Sequence, residues 1–478
     1  MGHRIEQDSL GTLAVPAEAL YGIHTARAME NFAIAGRRVH PRLWRAYGWV
    51  KLACAKVNHD LSLWQDTPER ARAVFQACEE LIRGDLDAWN LTDALQGGAG
   101  TSTNMNVNEV LANRALQLLG ESPGRYDLVS PLDHINRHQS TNDTYPTALR
   151  VALLYGLREV EASLVRLQEA FQRKEQETAG VVKVGRTETR DAALITLGRE
   201  MGAYAEAFAR DRWRVFKCFE RLRVVNLGGT AIGTGCGAPR TYIFRVTDTL
   251  RELTGLPLAR AENLVEATQN ADVFAETSGI LRTCAVSLLK VATDLRLLSS
   301  GPDAGLHEIR LAPLQAGSSI MPAKVNPVIP ETVSQAAMKI MGNDQVIAFA
   351  AASGSLELNP FMPLIADIML ESVELSRAAC ESFADRCVAM LEADARRCRE
   401  LVNGATAVAL ALVPALGYER VAMLVKTAHE RNVPLKKLVM EEGLLDDHTW
   451  ESLTSAEAVT RLGFPDPMPE KGGVPPLY

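Results

Sequence analysis

No window of this sequence approaches eighteen uninterrupted apolar residues, and no block of Lys or Arg stands out in it. The first absence argues against a membrane-spanning helix, which needs about 20 such residues. The second, with a formal net charge of -7, removes the basic footprint of a nucleic-acid binder. The eight cysteines form no C-x-x-C pair and fall mostly in helix-like runs, which suits buried thiols rather than disulfides or a zinc ribbon. The start, MGHRIEQDSLGTLAVP, is acidic within its first ten positions and holds no apolar core of a secretory signal. A cytoplasmic location is expected. Aromatics are only 6% of residues; Ala, Leu and Val dominate instead, a balance that favours helix.

What is there is long-range helical periodicity. Residues 144–178, 197–221, 240–253 and 272–298 repeat apolar side chains at three- and four-residue steps with few breakers. Runs this long and Ala/Leu-rich on several faces need neighbours, so a mainly α bundle within an oligomer is expected. Shorter patterns precede them at 43–61 and 68–89, and others follow at 418–429 and 435–442, the last closed by Gly443. Strand-like alternation is confined to short pieces such as 181–184. The implied division is an N-terminal domain (1–140), a central helical domain (141–393) and a small C-terminal helical domain (394–478). Its Pro/Gly-rich tail, GFPDPMPEKGGVPPLY, is read as poorly ordered.

Chemistry concentrates in four polar segments. Residues 317–327, GSSIMPAKVNP, combine a permissive glycine, two prolines that forbid regular helix, the hydroxyls of Ser318 and Ser319, the cation of Lys324 and the amide of Asn326. A Gly/Pro-rich connector with a solvated lysine is the competing reading of that loop taken alone. Ser140-Thr141-Asn142-Asp143 opens a helical run, where helix capping competes with a binding role. Gly100-Thr101-Ser102-Thr103-Asn104 and Gly185-Arg186-Thr187-Glu188 repeat the crowding of small donors. Such donors suit a site that grips two carboxylates with little cationic charge.

These segments, together with VPAEALYGIHTARAMENF, QGGAGTSTNMNVNEV, DHINRHQSTNDTYPTALR, GGTAIGTG and DLRLLSSGP, make the chain resemble the aspartase/fumarase superfamily over nearly its whole length. Within that superfamily the likeness is to the ammonia-lyases that act on aspartate. The resemblance implies a three-domain fold whose long helices form a 20-helix core in a homotetramer, with each active site built from three subunits. It also implies reversible anti-elimination of ammonia from L-aspartate to give fumarate through an aci-carboxylate; no cofactor is expected and no residue is assigned as a metal ligand, with activation by a divalent cation left open. Ser318 would be the general base. Lys324 and Asn326 would hold the α-carboxylate, and Thr101, Ser140, Thr141 and Ser319 the other one. Asn142 and Thr187 would surround the amino leaving group, with Glu331 supporting.

Departures from the family pattern bear on the substrate. Glu188 stands where histidine or glutamine is usual, so it is expected to face Glu331 and to demand a cation or shared proton between them. Arg190 replaces a glutamine, and is expected either to pair with Glu188 or to reshape the pocket; Gly237 stands where a larger residue is common. These changes keep open an N-substituted or enlarged aspartate. A fumarate hydratase is a weaker alternative, because malate's neutral leaving group would not answer a carboxylate at 188. A non-catalytic structural protein is disfavoured by the intact Ser318, Lys324, Asn326 and Asn142. In SPLDHIN, Ser130 and Leu132 replace residues of a secondary anion site, which is expected to be missing. His134 and His138 have H-x-x-x-H spacing but no evident third ligand.

Overall fold

The computed structural model describes residues 2–463; the Pro/Gly-rich tail from residue 464 on lies outside them. Helix dominates the described residues, as the periodicity requires. The chain forms two compact units: one takes residues up to Leu164, Asp211–Val286 and Gln335–Ala379, the other Val165–Arg210, Ser287–Ser334 and the residues from Cys380 on. Five long helices, Thr141–Glu177, Leu197–Leu222, Asp272–Leu298, Val328–Ala352 and Met362–Phe383, contribute residues to both. No single helix among the described residues is long and apolar enough to cross a membrane.

In the first unit the helix Pro41–Asp60 begins with proline at its first position, and the His40 ring accepts the Arg42 N–H at 3.2 Å, so the end is capped as its sequence suggests. Its Leu43, Trp44, Tyr47 and Val50, which share one face of the helix, are fully buried, and the helix packs against the helices Pro68–Arg83 and Arg240–Thr254. Helix Thr101–Leu118 is buried on most faces although it carries Asn104, Asn106, Asn108, Glu109 and Asn113. Buried polar groups must find partners, and here they tether the N-terminal segment. Glu109 accepts the backbone N–H groups of Gly22 (2.8 Å), His24 (2.8 Å) and Thr25 (3.1 Å) and the Thr25 hydroxyl (2.6 Å). That places a carboxylate on the unsatisfied donors at the start of helix Ile23–Asn31.

Ahead of that helix the sequence expectation fails. His3–Asp8 and Gly11–Pro16 form an antiparallel hairpin in register from His3↔Pro16 to Asp8↔Gly11, where only short strand pieces elsewhere were expected. Ile5 is 70% exposed while Glu6 is buried. Glu6 instead binds Arg4 (2.7 Å), the Ile23 N–H (2.8 Å) and the Tyr126 hydroxyl (2.9 Å). The apolar alternation is inverted, so the strand had no hydrophobic signature.

The second unit holds a hairpin, Val182–Thr187 with Arg190–Thr196. Its helical part is filled by Phe171, which stacks on Phe208 at 5.6 Å and meets Phe383 edge-on at 6.1 Å. The C-terminal helices, including Tyr418–Glu430 and Leu435–Glu441, close over Leu412, Leu424, Leu438 and Trp450. Gly443, with φ 64°, ends the last of these as its position suggests.

Candidate active site

Within the second unit, residues 317–326 close on themselves. The Gly317 N–H donates to the Lys324 carbonyl at 2.8 Å, and the Asn326 amide donates to the Gly317 carbonyl at 2.8 Å. A Cβ at Gly317 would lie 2.5 Å from the Lys324 carbonyl oxygen and 2.8 Å from the Asn326 nitrogen, so glycine here is a matter of space. Inside the loop the Ser318 hydroxyl oxygen accepts the N–H groups of Ile320 (3.2 Å) and Met321 (2.9 Å). Two donors on one oxygen favour its ionised form. Ser318, Ser319 and Lys324 share an open bowl of about 490 Å³, and the exposed side chain of Lys324 makes no hydrogen bond or ion pair among the described residues. Asn326, by contrast, has one amide donor taken up by Gly317.

In the first unit a second cleft, of about 440 Å³, brings Thr101, Ser140 and Thr141 together with Asn104, Gln139, Thr230, Cys236 and Gly237. Ser140 does cap its helix: its hydroxyl oxygen accepts the Asn142 N–H at 3.2 Å, while its own N–H donates to Asp143 at 3.0 Å. Capping occupies one lone pair of the oxygen and leaves the hydroxyl proton free, so the two readings of Ser140 coexist. Asp143 is the organiser. It also accepts the N–H groups of Gly228 (3.2 Å) and Thr230 (3.0 Å), knitting the GGTAIGTG turn onto the helix start. Burial pushes its carboxyl up to about 7, against the pull of the Ser140, Thr230 and Gly228 N–H groups and of Lys51. Thr230 itself sits at φ 56°, a rare position for a β-branched residue. Asn142 is not on this cleft: its amide donates to the Ala231 carbonyl at 2.7 Å, and it lines a separate small crevice with Arg150 and Asn270.

Thr187 and Glu188 lie at the exposed tip of the second unit's hairpin. Thr187 pairs with Arg190, leaving Glu188 and Thr189 as a two-residue turn with φ of 51° and 62°, the signature of a type I′ hairpin. No hydrogen bond or ion pair links Glu188 to Arg190 or to Glu331 within the described residues; Arg186, not Arg190, reaches the neighbouring acid, Asp191, at 3.6 Å. The base of the hairpin is fixed by a buried ion cluster. Glu308, fully buried, receives Arg186 at 2.9 Å and Lys183 at 3.2 Å, and Lys183 also reaches Glu200 at 3.1 Å. Glu331 stands in the first turn of helix Val328–Ala352.

Comparison with known proteins gives these segments a common context. A lyase family profile matches residues 11–342, and a fumarase C C-terminal profile matches residues 409–461. The chain is 46% identical to an aspartate ammonia-lyase of Pseudomonas aeruginosa over 93% of its own length and 94% of that protein's. It is 41% identical to one from a Bacillus species over 96% and 98%. The chain belongs to the aspartase/fumarase superfamily. Its structure superposes on that of a Brucella melitensis protein described as fumarate lyase:delta crystallin, bound to cobalt, with TM-score 0.91, 44% identity and coverage of 96% and 99%. A class II fumarase of Schistosoma mansoni gives TM-score 0.86 at 31% identity, over 96% and 100%.

Of the two histidines with H-x-x-x-H spacing, His138 lines the cleft and His134 does not. His134 accepts the Ser130 N–H at 2.8 Å, and His138 meets Asn58 at 2.8 Å and packs on Tyr242. Among the described residues no group of three or more His, Cys, Asp and Glu side chains is placed to hold a metal ion. Sequence reasoning missed Lys51, Asp143 and Thr230. An Asp next to the STN motif was visible, but that it would be buried was not.

Proposed function

We propose that this chain is an ammonia-lyase converting L-aspartate reversibly to fumarate and ammonia. Ser318 takes the Cβ proton, the electron pair moves into the adjoining carboxylate to give an aci-carboxylate, and collapse of that dianion expels the amine from Cα. The observation that carries this reading is the Ser318 oxygen under two backbone N–H groups, in a loop whose Lys324 cation is unpaired. A hydroxyl is too weak a base at neutral pH unless its alkoxide is stabilised, and these donors serve that end. Lys324 and the remaining amide capacity of Asn326 would take the α-carboxylate. Thr101, Ser140, Thr141 and Ser319 would take the other carboxylate, with Asn142 and Thr187 near the amine and Glu331 in support. Several hydroxyl and amide donors aimed at a developing charge can supply much of the acceleration, since one such donor is worth about 10²–10³ in rate.

The reading includes a homotetramer with sites shared by three subunits, a three-part division at 1–140, 141–393 and 394–478, and a cytoplasmic setting. In support, helix Val328–Ala352 exposes Met338, Val346 and Phe349, and the Leu197–Leu222 helix exposes Trp213 and Phe216. Exposed apolar rows on long helices mark surfaces meant to be covered. Following fumarate absorbance with purified protein tests the activity: aspartate gives fumarate, and malate gives none at a comparable rate. Equal rates with malate would overturn the assignment.

One observation favours a second reading, an N-substituted or enlarged aspartate. Gly237 lines the cleft, and a Cβ there would meet nothing within 4 Å, so the cleft is roomier than one carrying a larger side chain. If kcat/KM for any of a panel of N-alkyl aspartates exceeds that for aspartate, this second reading replaces the first.

The closed loop makes its own prediction. Gly317→Ala must open the Gly317–Lys324 ring and displace Ser318, and a shift of about 1 Å at a reacting group can cost about 10²-fold. We expect kcat/KM to fall about 10–100-fold with the thermal midpoint unchanged, since the loop is exposed; steady-state kinetics beside a melting curve decides it.

A further inference from the structure

Behind the cleft of the first unit lies a cation that the mechanism above does not use. Lys51, on helix Pro41–Asp60, is 1% exposed. Its ammonium donates to the side-chain amide oxygens of Asn104 (2.7 Å), Gln139 (2.8 Å) and Asn136 (3.3 Å), and no ion pair to it exists among the described residues. Asn104, Asn136 and Gln139 all line the cleft. A charge so placed is costly, and neutral amides repay it only in part.

What the arrangement achieves is orientation. An ammonium has donors and no acceptor, so it forces the Asn104 oxygen inward. The Asn104 nitrogen is thereby left on the other side, and it donates to the Thr141 hydroxyl oxygen and to the Asn136 side-chain oxygen, each at 3.1 Å. With that oxygen engaged as an acceptor, the Thr141 proton is left to donate into the cleft. Each link polarises the next, so part of the buried positive charge is felt at the hydroxyl.

We propose that Lys51 is a positioning residue for carboxylate binding, acting through Asn104 to hold Thr141 as a hydrogen-bond donor facing the cleft. The proposal rests on the reading of this cleft as a carboxylate pocket. Its consequence is a dependence on pH. Burial pushes the Lys51 ammonium down to about 8, with Cys54, Asp143 and Cys78 acting the other way. Around it stand Cys54 and the Tyr47 ring on its own helix, Cys78 on helix Pro68–Arg83, and Asp143 at the start of Thr141–Glu177. The thiols of Cys54 and Cys78 are pushed up by burial and stay neutral in this range. Lys51 is therefore charged below about pH 8 and neutral above it, and carboxylate binding should weaken as pH rises through that value.

The test is calorimetric titration of the full-length protein with succinate, a dianion throughout, from about pH 6.5 to 9.5. Wild-type affinity should fall above about pH 8. Lys51→Met should bind about tenfold or more weakly at pH 7, the loss of a charge-assisted hydrogen bond. It should also lack the decline above pH 8, keeping only the step that Asp143 contributes nearer pH 7. Gln139→Leu removes one acceptor from the ammonium and should move the wild-type decline to lower pH. That variant, with the wild-type profile, decides the matter if Lys51→Met does not fold. A Lys51→Met protein with wild-type affinity, or with the decline above pH 8 intact, overturns the proposal; so does an unmoved decline in Gln139→Leu. If wild type releases fumarate from aspartate but its succinate affinity is flat with pH, Lys51 has no such role although the lyase reading stands. If wild type neither binds succinate nor releases fumarate, the pocket reading falls and takes this one with it.

Discussion

Ser318→Ala should lower kcat for fumarate release from aspartate by about 10³–10⁴-fold, the upper part of the range for a positioned proton-transfer group, and leave the fold intact. The hydroxyl accepts two backbone N–H groups, from Ile320 and Met321, and both donors are on exposed residues that water can satisfy once the oxygen is gone. The stability change should stay within about 0.5 kcal/mol, as for surface substitutions generally. Succinate should still bind with affinity near that of wild type, because the removed group takes a proton and holds no carboxylate. The combination is diagnostic: turnover lost, binding and melting temperature kept. Turnover within tenfold of wild type would mean that some other group is the base.

Lys324→Met should behave differently. The ammonium has no partner in its own loop, so nothing in the resting protein depends on it and the melting temperature should not move. Once a carboxylate is seated and water is excluded, loss of one member of a buried, hydrogen-bonded charge pair costs about 2–5 kcal/mol. We expect kcat/KM to fall by at least about 30-fold, with much of the change in KM, because a carboxylate remote from the breaking bond is held alike in ground and transition states. Lys324→Arg should recover only part of the loss, since a planar fork does not replace a compact point charge in a shaped loop. Kinetics with aspartate settle it; a fall in kcat/KM of less than about fivefold is too small for a charge pair and would exclude Lys324 as the α-carboxylate ligand.

The parts of the molecule that were legible in the sequence are those where one physical signal acts alone. Helix Asp272–Leu298 has the bounds its periodicity gives, and Arg240–Thr254 and Leu197–Leu222 end within a residue of theirs, because side-chain spacing alone sets them. Loop 317–327 was conspicuous as a non-helical segment because its glycine and prolines forbid regular helix, while its reading as a site came only with the resemblance of the whole chain. The N-terminal hairpin was hidden by Glu6, a buried carboxylate in a strand whose isoleucine faces water. Lys51 was hidden for the same kind of reason: a lysine in an amphipathic helix usually marks the solvent side, and only tertiary packing reveals this one as internal. Asn142 shows the limit from the other direction. Its motif was conspicuous, yet within the chain its amide serves the Ala231 carbonyl, a partner 89 residues away in sequence that no local pattern announces.

The turn at Glu188 and Thr189 carries a consequence for adaptation. Type I′ turns are most comfortable with Asn-Gly, and each non-glycine residue held in the left-handed region costs of order 1 kcal/mol or more. A glycine at either tip position would relax the hairpin, and selection for thermal robustness alone would drift that way. On the reading that a carboxylate at 188 answers the leaving group, glycine at that position would also erase this carboxylate. The tip is thus a place where heat tolerance and choice of amine pull against each other. A two-residue loop braced by the Glu308 ion cluster can also exchange its side chains without disturbing the strands, so new leaving-group preferences could arise there by single substitutions.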